Sequence, residues 1–292
     1  MRRALFLTVV LFLVTASLFA GRHGGVSMSI SDDGELEDCN DLSIRFSGER
    51  APVVAEEIPF HGSELAIRTE KHGGIRVVGT RGNAYGVTVC KAAAPGTDLG
   101  AIRVVLAGNE LTATGPEDDR WIAYFIVRAP RGASLDLEAN NGPISIARFH
   151  GTVKAQATNG PVSVKDSSGT INAETTNGPV SIDGGSGDIR LEATNGPVSV
   201  DLADTFWDGS LEASTKNGPL SLKLPRGFQS GVLVESLGHG PVTCKAVGCP
   251  ETRARYRDHD DGEDRPRRIE LGSGPQVVRL STTNGPVSVR EN

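Results

Sequence analysis

From Leu135 onward, apolar and polar residues alternate in short runs, and the runs recur. Leu135-Asp136-Leu137-Glu138-Ala139 leads into Asn141-Gly142-Pro143, and Ile144-Ser145-Ile146 follows. The Asn-Gly-Pro triplet returns at Asn159, Asn177, Asn195, Asn217 and Asn284, and His239-Gly240-Pro241 is a variant copy. The first three steps are each 18 residues, the next two 22 and the last 45. Within a unit, an apolar-Ser-apolar strand such as Val162-Ser163-Val164 comes first. A Gly-containing turn and a second alternating strand, such as Ile171-Asn172-Ala173-Glu174-Thr175, complete it. A period of two sends alternate side chains to opposite faces. Val162, Val164, Ile171, Ala173 and Thr175 are therefore expected inside, with Val180, Ile182, Ile189, Leu191 and Ala193 as their equivalents one unit on. Each larger aliphatic stabilises by about 1.5–3 kcal/mol when buried. One unit cannot bury that face alone, whereas stacked units can.

The pattern predicts an all-β fold, a parallel β-helix or β-solenoid of about 18–22-residue coils. An antiparallel β meander is the competing arrangement, because Asn-Gly between alternating strands is a strong hairpin signal. Proline argues against it. The last residue of a two-residue hairpin turn should donate its N–H back across the turn, and Pro179 in Thr176-Asn177-Gly178-Pro179 has none. As a corner of a coil the triplet loses nothing, and identical asparagines can form a ladder along the stack.

Upstream the alternation is less regular. His72-Gly73-Gly74-Ile75-Arg76-Val77 reads as a degenerate copy of Asn-Gly-Pro-Val-Ser-Val, and residues 102–114 and 121–128 supply further strands. The repeat domain is therefore expected to span 62–292, with Trp121, Tyr124 and Phe125 as cap or core residues. Residues 21–61 read as an arm or linker with one strand, Leu42-Ser43-Ile44-Arg45-Phe46. Residues 246–268 are a charged insertion without apolar period, expected to form an exposed loop.

Composition adds three constraints. Residues 1–20 have the charged start (Arg2, Arg3) and apolar run of a secretory signal peptide ending at Ala20, with an uncleaved membrane anchor as the alternative. No cysteine follows that run, which argues against a lipid anchor. Removing Arg2 and Arg3 from the 30 basic residues leaves 28 against 36 acidic, a net charge of −8 that argues against nucleic acid. Export implies an oxidising compartment, periplasmic, cell-surface or secreted, where disulfides persist. The four cysteines allow three pairings. Cys244 with Cys249 closes a short local loop, and Cys39 with Cys90 would then tie the arm to the first strands.

The string from Leu135 to Ile146 and its downstream repeats resemble the bacterial putative adhesin family, exported β-solenoids of unknown function, and Gly73 to Val78 is similar to its N-terminal coils. The resemblance covers roughly residues 62–292. It implies an extracytoplasmic parallel β-helix with a proposed role in adhesion and transfers no catalytic residue.

Candidate chemistry is confined to repeated positions. Ser145, Ser163, Ser181, Ser199 and Ser221, with Thr243 and Ser288, share one outward position and would form a hydroxyl file at about 4.8 Å spacing. Lys165, Asp183, Asp201 and Lys223 flank it. Glu138, Gln156, Glu174, Glu192 and Glu212 are expected to share a second outward position, with Lys154 and Arg190 placed for diagonal pairing. His239, Cys244, Cys249 and His259 fit no common zinc spacing, and Asp258 to Asp264 fits no EF-hand. Nucleophile-elbow, phosphate-loop and His-Glu-x-x-His motifs are absent. The expected function is therefore a non-enzymatic, adhesin-like surface or envelope protein without cofactor or metal, meeting an envelope protein or polysaccharide. The alternatives are a carbohydrate-active β-helix enzyme and an envelope-sensing regulatory module. Membrane contact is expected only if the leader stays attached.

Overall fold

The computed structural model of the chain describes residues 26–30, 36–118, 120–238, 240–249 and 267–292. The expected leader over 1–20 and residues 250–266 of the insertion lie outside these.

Three short strands, β1 (Val26–Ile30), β2 (Leu42–Phe46) and β3 (Glu49–Ala51), form a small antiparallel sheet. The chain continues through β4 (Val54–Ile58), β5 (Glu64–His72), β6 (Ile75–Gly79), β7 (Gly86–Ala93), β8 (Arg103–Ala107), β9 (Glu110–Thr114) and β10 (Trp121–Ala129). The repeats follow as β11 (Ser134–Asn141), β12 (Ile144–Ala147), β13 (His150–Asn159), β14 (Val162–Lys165), β15 (Ser168–Asn177), β16 (Val180–Asp183), β17 (Ser186–Asn195) and β18 (Val198–Asp201). The last strands are β19 (Gly209–Asn217), β20 (Leu220–Leu224), β21 (Gly231–Ser236), β22 (Val242–Lys245), β23 (Arg267–Leu271), β24 (Gln276–Asn284) and β25 (Val287–Glu291). The arm, expected to carry one strand, thus carries four. The three unforeseen ones have too little apolar alternation of their own, and pairing with β2 and β7 orders them.

Two 11-stranded sheets hold the rest. One has the order β22-β25-β20-β18-β16-β14-β12-β6-β10-β7-β4, the other β23-β21-β24-β19-β17-β15-β13-β11-β5-β9-β8. From β11 to β20 successive strands alternate between the sheets, and each pairs parallel with its equivalent one unit on. The antiparallel meander is thereby excluded over the repeats. Among the described residues, the antiparallel pairs of these two sheets lie toward their ends, at β4–β7–β10, β8–β9 and β21–β23.

The corner explains the register. Pro179 accepts through its carbonyl from Val162 N–H (2.9 Å), so its missing N–H is never called upon. A Cβ on Gly178 would lie 2.2 Å from the Gly160 carbonyl oxygen, and one on Gly196 1.9 Å from that of Gly178. Only a residue without a side chain permits that approach, so each corner aligns on the last. The asparagines then form an amide ladder. Asn159, Asn177, Asn195 and Asn217 each donate from Nδ2 to Oδ1 of the asparagine one unit earlier, at 2.9–3.1 Å.

Between the sheets lies one continuous aliphatic core, including Val162, Val164, Ile171, Ala173, Val180, Ile182, Ile189, Leu191 and Ala193. Thr175, also inside, donates to the Gly160 carbonyl (2.9 Å). β10 is covered on both sides. Trp121 and Phe125 face the main core, whereas Ile122, Tyr124 and Ile126 pack on Leu42, Ile44 and Phe46 of the small sheet. Burial pushes the Tyr124 hydroxyl pKa up. Cys39 is bonded to Cys90 across that second core, and Cys244 to Cys249.

The two final units depart from chain order. β24 lies between β19 and β21, and β25 between β20 and β22. Asn284 therefore donates to Asn217 (3.0 Å), although the His239 copy comes between them in sequence.

Candidate functional site

The outward side chains form straight files because every pair from β11 to β20 is in register. On the first sheet the file reads Arg76, Ser145, Ser163, Ser181, Ser199, Ser221, Ser288, Thr243. The five serines from Ser145 to Ser221 are half-buried between neighbouring side chains, whereas Ser288 and Thr243 are exposed. Ser221 Oγ donates to Ser199 Oγ at 3.1 Å, and Arg76 donates to Ser145. The adjoining file carries Ala147, Lys165, Asp183, Asp201 and Lys223, and Lys223 pairs with Asp201. Arg76 occupies the serine position of the degenerate copy at residues 72–77, so its place was readable from that alignment.

On the second sheet the acidic file reads Arg68, Glu138, Gln156, Glu174, Glu192, Ser214. Glu212, expected in it, stands instead beside Arg190. The Gly corner sets the register, and the residue three before Asn217 is Ser214. Where each strand turns toward its Asn-Gly-Pro corner, Thr158, Thr176 and Thr194 make a wall beside this file. File and wall line an open groove of about 570 Å³, with Arg68, Glu70 and Asn140 lining its first stretch.

The three carboxylates of the file, Glu138, Glu174 and Glu192, are engaged from the side. Arg68 reaches Asp136 at 2.6 Å, Glu138 at 3.3 Å and Glu110 at 3.8 Å. Burial alone would lower its pKa, but these three acids outweigh burial and raise it. Glu174 accepts from Gln156 Nε2 (3.1 Å) and Asn172 Nδ2 (3.0 Å). Arg190 donates from Nε to Glu192 (2.7 Å) and from Nη1 to Glu212 (3.3 Å), and its bond to Glu192 is the main cause of its raised pKa. Repulsion between stacked acids is relieved within the face. The threonines of the wall are exposed and present a hydroxyl at every rung of this stretch.

Cys244 and Cys249 are spent on each other and offer no thiolate to a metal. His239, His259 and residues 258–264 lie outside the described residues. Among the described residues no three His, Cys, Asp or Glu side chains converge as a metal site, and no helix is long and apolar enough to cross a membrane.

The sequence matches no protein-family profile and no curated protein. Solved structures are similar at low identity. A putative adhesin from Bacteroides fragilis NCTC 9343 shares 12% identity over 82% of this chain and 97% of its own, with a TM-score of 0.42. A putative cell adhesion protein from Clostridium sporogenes ATCC 15579 shares 10% identity over 83% of this chain and 100% of its own, with a TM-score of 0.31.

Proposed function

We propose that the chain is a non-enzymatic exported protein, a β-solenoid over 62–292 released by removal of residues 1–20. It holds a linear, repeating envelope polysaccharide along its groove and so acts as an adhesin-like scaffold. One observation carries this reading: Thr158, Thr176 and Thr194 stand one above the other beside a floor in which arginines pair Glu138 and Glu192 and the amides of Gln156 and Asn172 hold Glu174. A polymer with a hydroxyl or amide at regular intervals can meet such a wall repeatedly, so that weak contacts add through effective concentration. The side-engaged carboxylates favour holding over acid–base chemistry. Two disulfides fit an oxidising, extracytoplasmic compartment.

The test is binding of the full chain to immobilised envelope polysaccharides, compared with T176K and S181K variants. T176K places a long cation in the groove and is expected to weaken retention at least tenfold. S181K alters the opposite sheet and should leave retention within twofold. Equal retention of all three proteins, or release of shortened products from the polymer, would count against the reading.

A further inference from the structure

The last two strands sit where the order of the chain does not put them. After β20 the chain leaves one place in each sheet vacant and builds β21 and β22 beyond it. It makes β23 antiparallel to β21, then returns to fill both places with β24 and β25. The returning unit is complete. Val278, Leu280, Val287 and Val289 enter the core at 0–2% exposure. Thr282 Oγ1 donates to Gly218 O (3.1 Å), and a Cβ on Gly285 would lie 1.9 Å from that same oxygen. Both sides are hydrogen-bonded, through Leu220 N to Pro286 O and Val287 N to Pro241 O, each 2.9 Å.

On its N-terminal side this unit is attached through Gly272-Ser273-Gly274-Pro275, which must straddle the start of β21 to pass from β23 to β24. The fit there is backbone against backbone. A Cβ on Gly272 would lie 2.3 Å from Ser230 O, and one on Gly231 2.4 Å from Gly274 O. Short, tightly folded hinges favour exchange of the element they carry. Beyond β25, Asn292 donates its N–H back to Leu224 O (2.9 Å).

We propose that residues 276–292 are an exchangeable plug, and that the partner fitting the vacant place is the same segment of a second copy of this chain. Every contact seen within one molecule can be made between two, and only the link changes. Four residues reach at most about 14 Å, so the two copies must lie with their β21 strands side by side. Reciprocal exchange closes a two-fold dimer.

The test uses two full-length variants, S214C and S281C, whose altered residues are paired partners on β19 and β24 and point outward. They are unfolded together in urea without reductant, refolded over a range of concentrations and mildly oxidised. The expected result is a heterodimer joined between residues 214 and 281, identified by peptide mapping, whose share rises with concentration. Light scattering on the unaltered chain should show a dimer rising in parallel. The S214C/S281C double variant, refolded dilute, should close within one chain. A monomer at every concentration, or a dimer in which the mixed thiols stay unjoined, overturns the proposal.

Discussion

At the residue scale the inward threonines show how little polarity the core tolerates. Thr175, Thr215 and Thr282 each aim a hydroxyl at the carbonyl of a corner glycine in a neighbouring unit, whereas Ala157 and Ala193 take the same place elsewhere. Thr175→Val keeps the shape and removes the donor to Gly160 O. The expected loss is about 1–3 kcal/mol, the cost of stranding a buried acceptor, read from urea unfolding. In the arm, Asp41 accepts from the N–H groups of Glu37 (2.8 Å) and Asp38 (3.0 Å), and the Asp38 bond is the first cause of a pKa below 3.8. A carboxyl whose folded pKa is depressed contributes stability above its unfolded pKa and loses it as pH falls through the folded value. The thermal midpoint should therefore drop less steeply below pH 4 in Asp41→Asn than in the parent, with the parent the more stable at neutral pH. Identical acid limbs in a melting series would refute this.

At the scale of the element the decisive unit is the corner rather than the strand. Gly178→Ala forces a methyl to within 2.2 Å of Gly160 O, so neighbouring units must separate. Loss of several kcal/mol is expected, with hydrogen exchange rising first in β14 to β17. Asn177→Ala removes two ladder bonds without that clash, costing about 1–3 kcal/mol at about 0.5–1.5 per bond. If both variants unfold alike in urea, close approach of the glycines is not the controlling contact. The repeat strands, their inward residues and the stacking of Asn141 to Asn217 were legible in the sequence because one physical constraint recurs at every copy. β1, β3 and β4 were not, since five residues such as Val54-Ala55-Glu56-Glu57-Ile58 become a strand only beside β7. The groove was half legible. Its floor followed from counting, apart from Glu212, but the wall of Thr158, Thr176 and Thr194 depends on the bend into the corner, which no alternation records. The inserted position of β24 and β25 left no local signal, because any intact copy can stack on any other.

For the whole molecule, both ends of the stack need closing, since open sheet edges invite pairing. Near the first end, where β4 and β8 are the edge strands, the small sheet covers the outer face of β7 and β10, and Cys39–Cys90 anchors it across a separation of 51 residues. Chain-entropy arguments give that bridge about 4 kcal/mol and the bridge spanning 5 residues, Cys244–Cys249, about 2 kcal/mol. C39S/C90S should accordingly lower the urea midpoint more than C244S/C249S, and protease should then cut first before residue 62. An equal shift in the two variants would show that the arm does not depend on its staple. The uniform corner has a further consequence for how such a molecule can vary through time. Gene duplication of the segment from Gly160 to Asn177 would add one rung of about 4.8 Å, leaving the plug and the stapled end intact. Descendants could thus differ in reach by whole steps, each still folded and each carrying one more threonine along the groove.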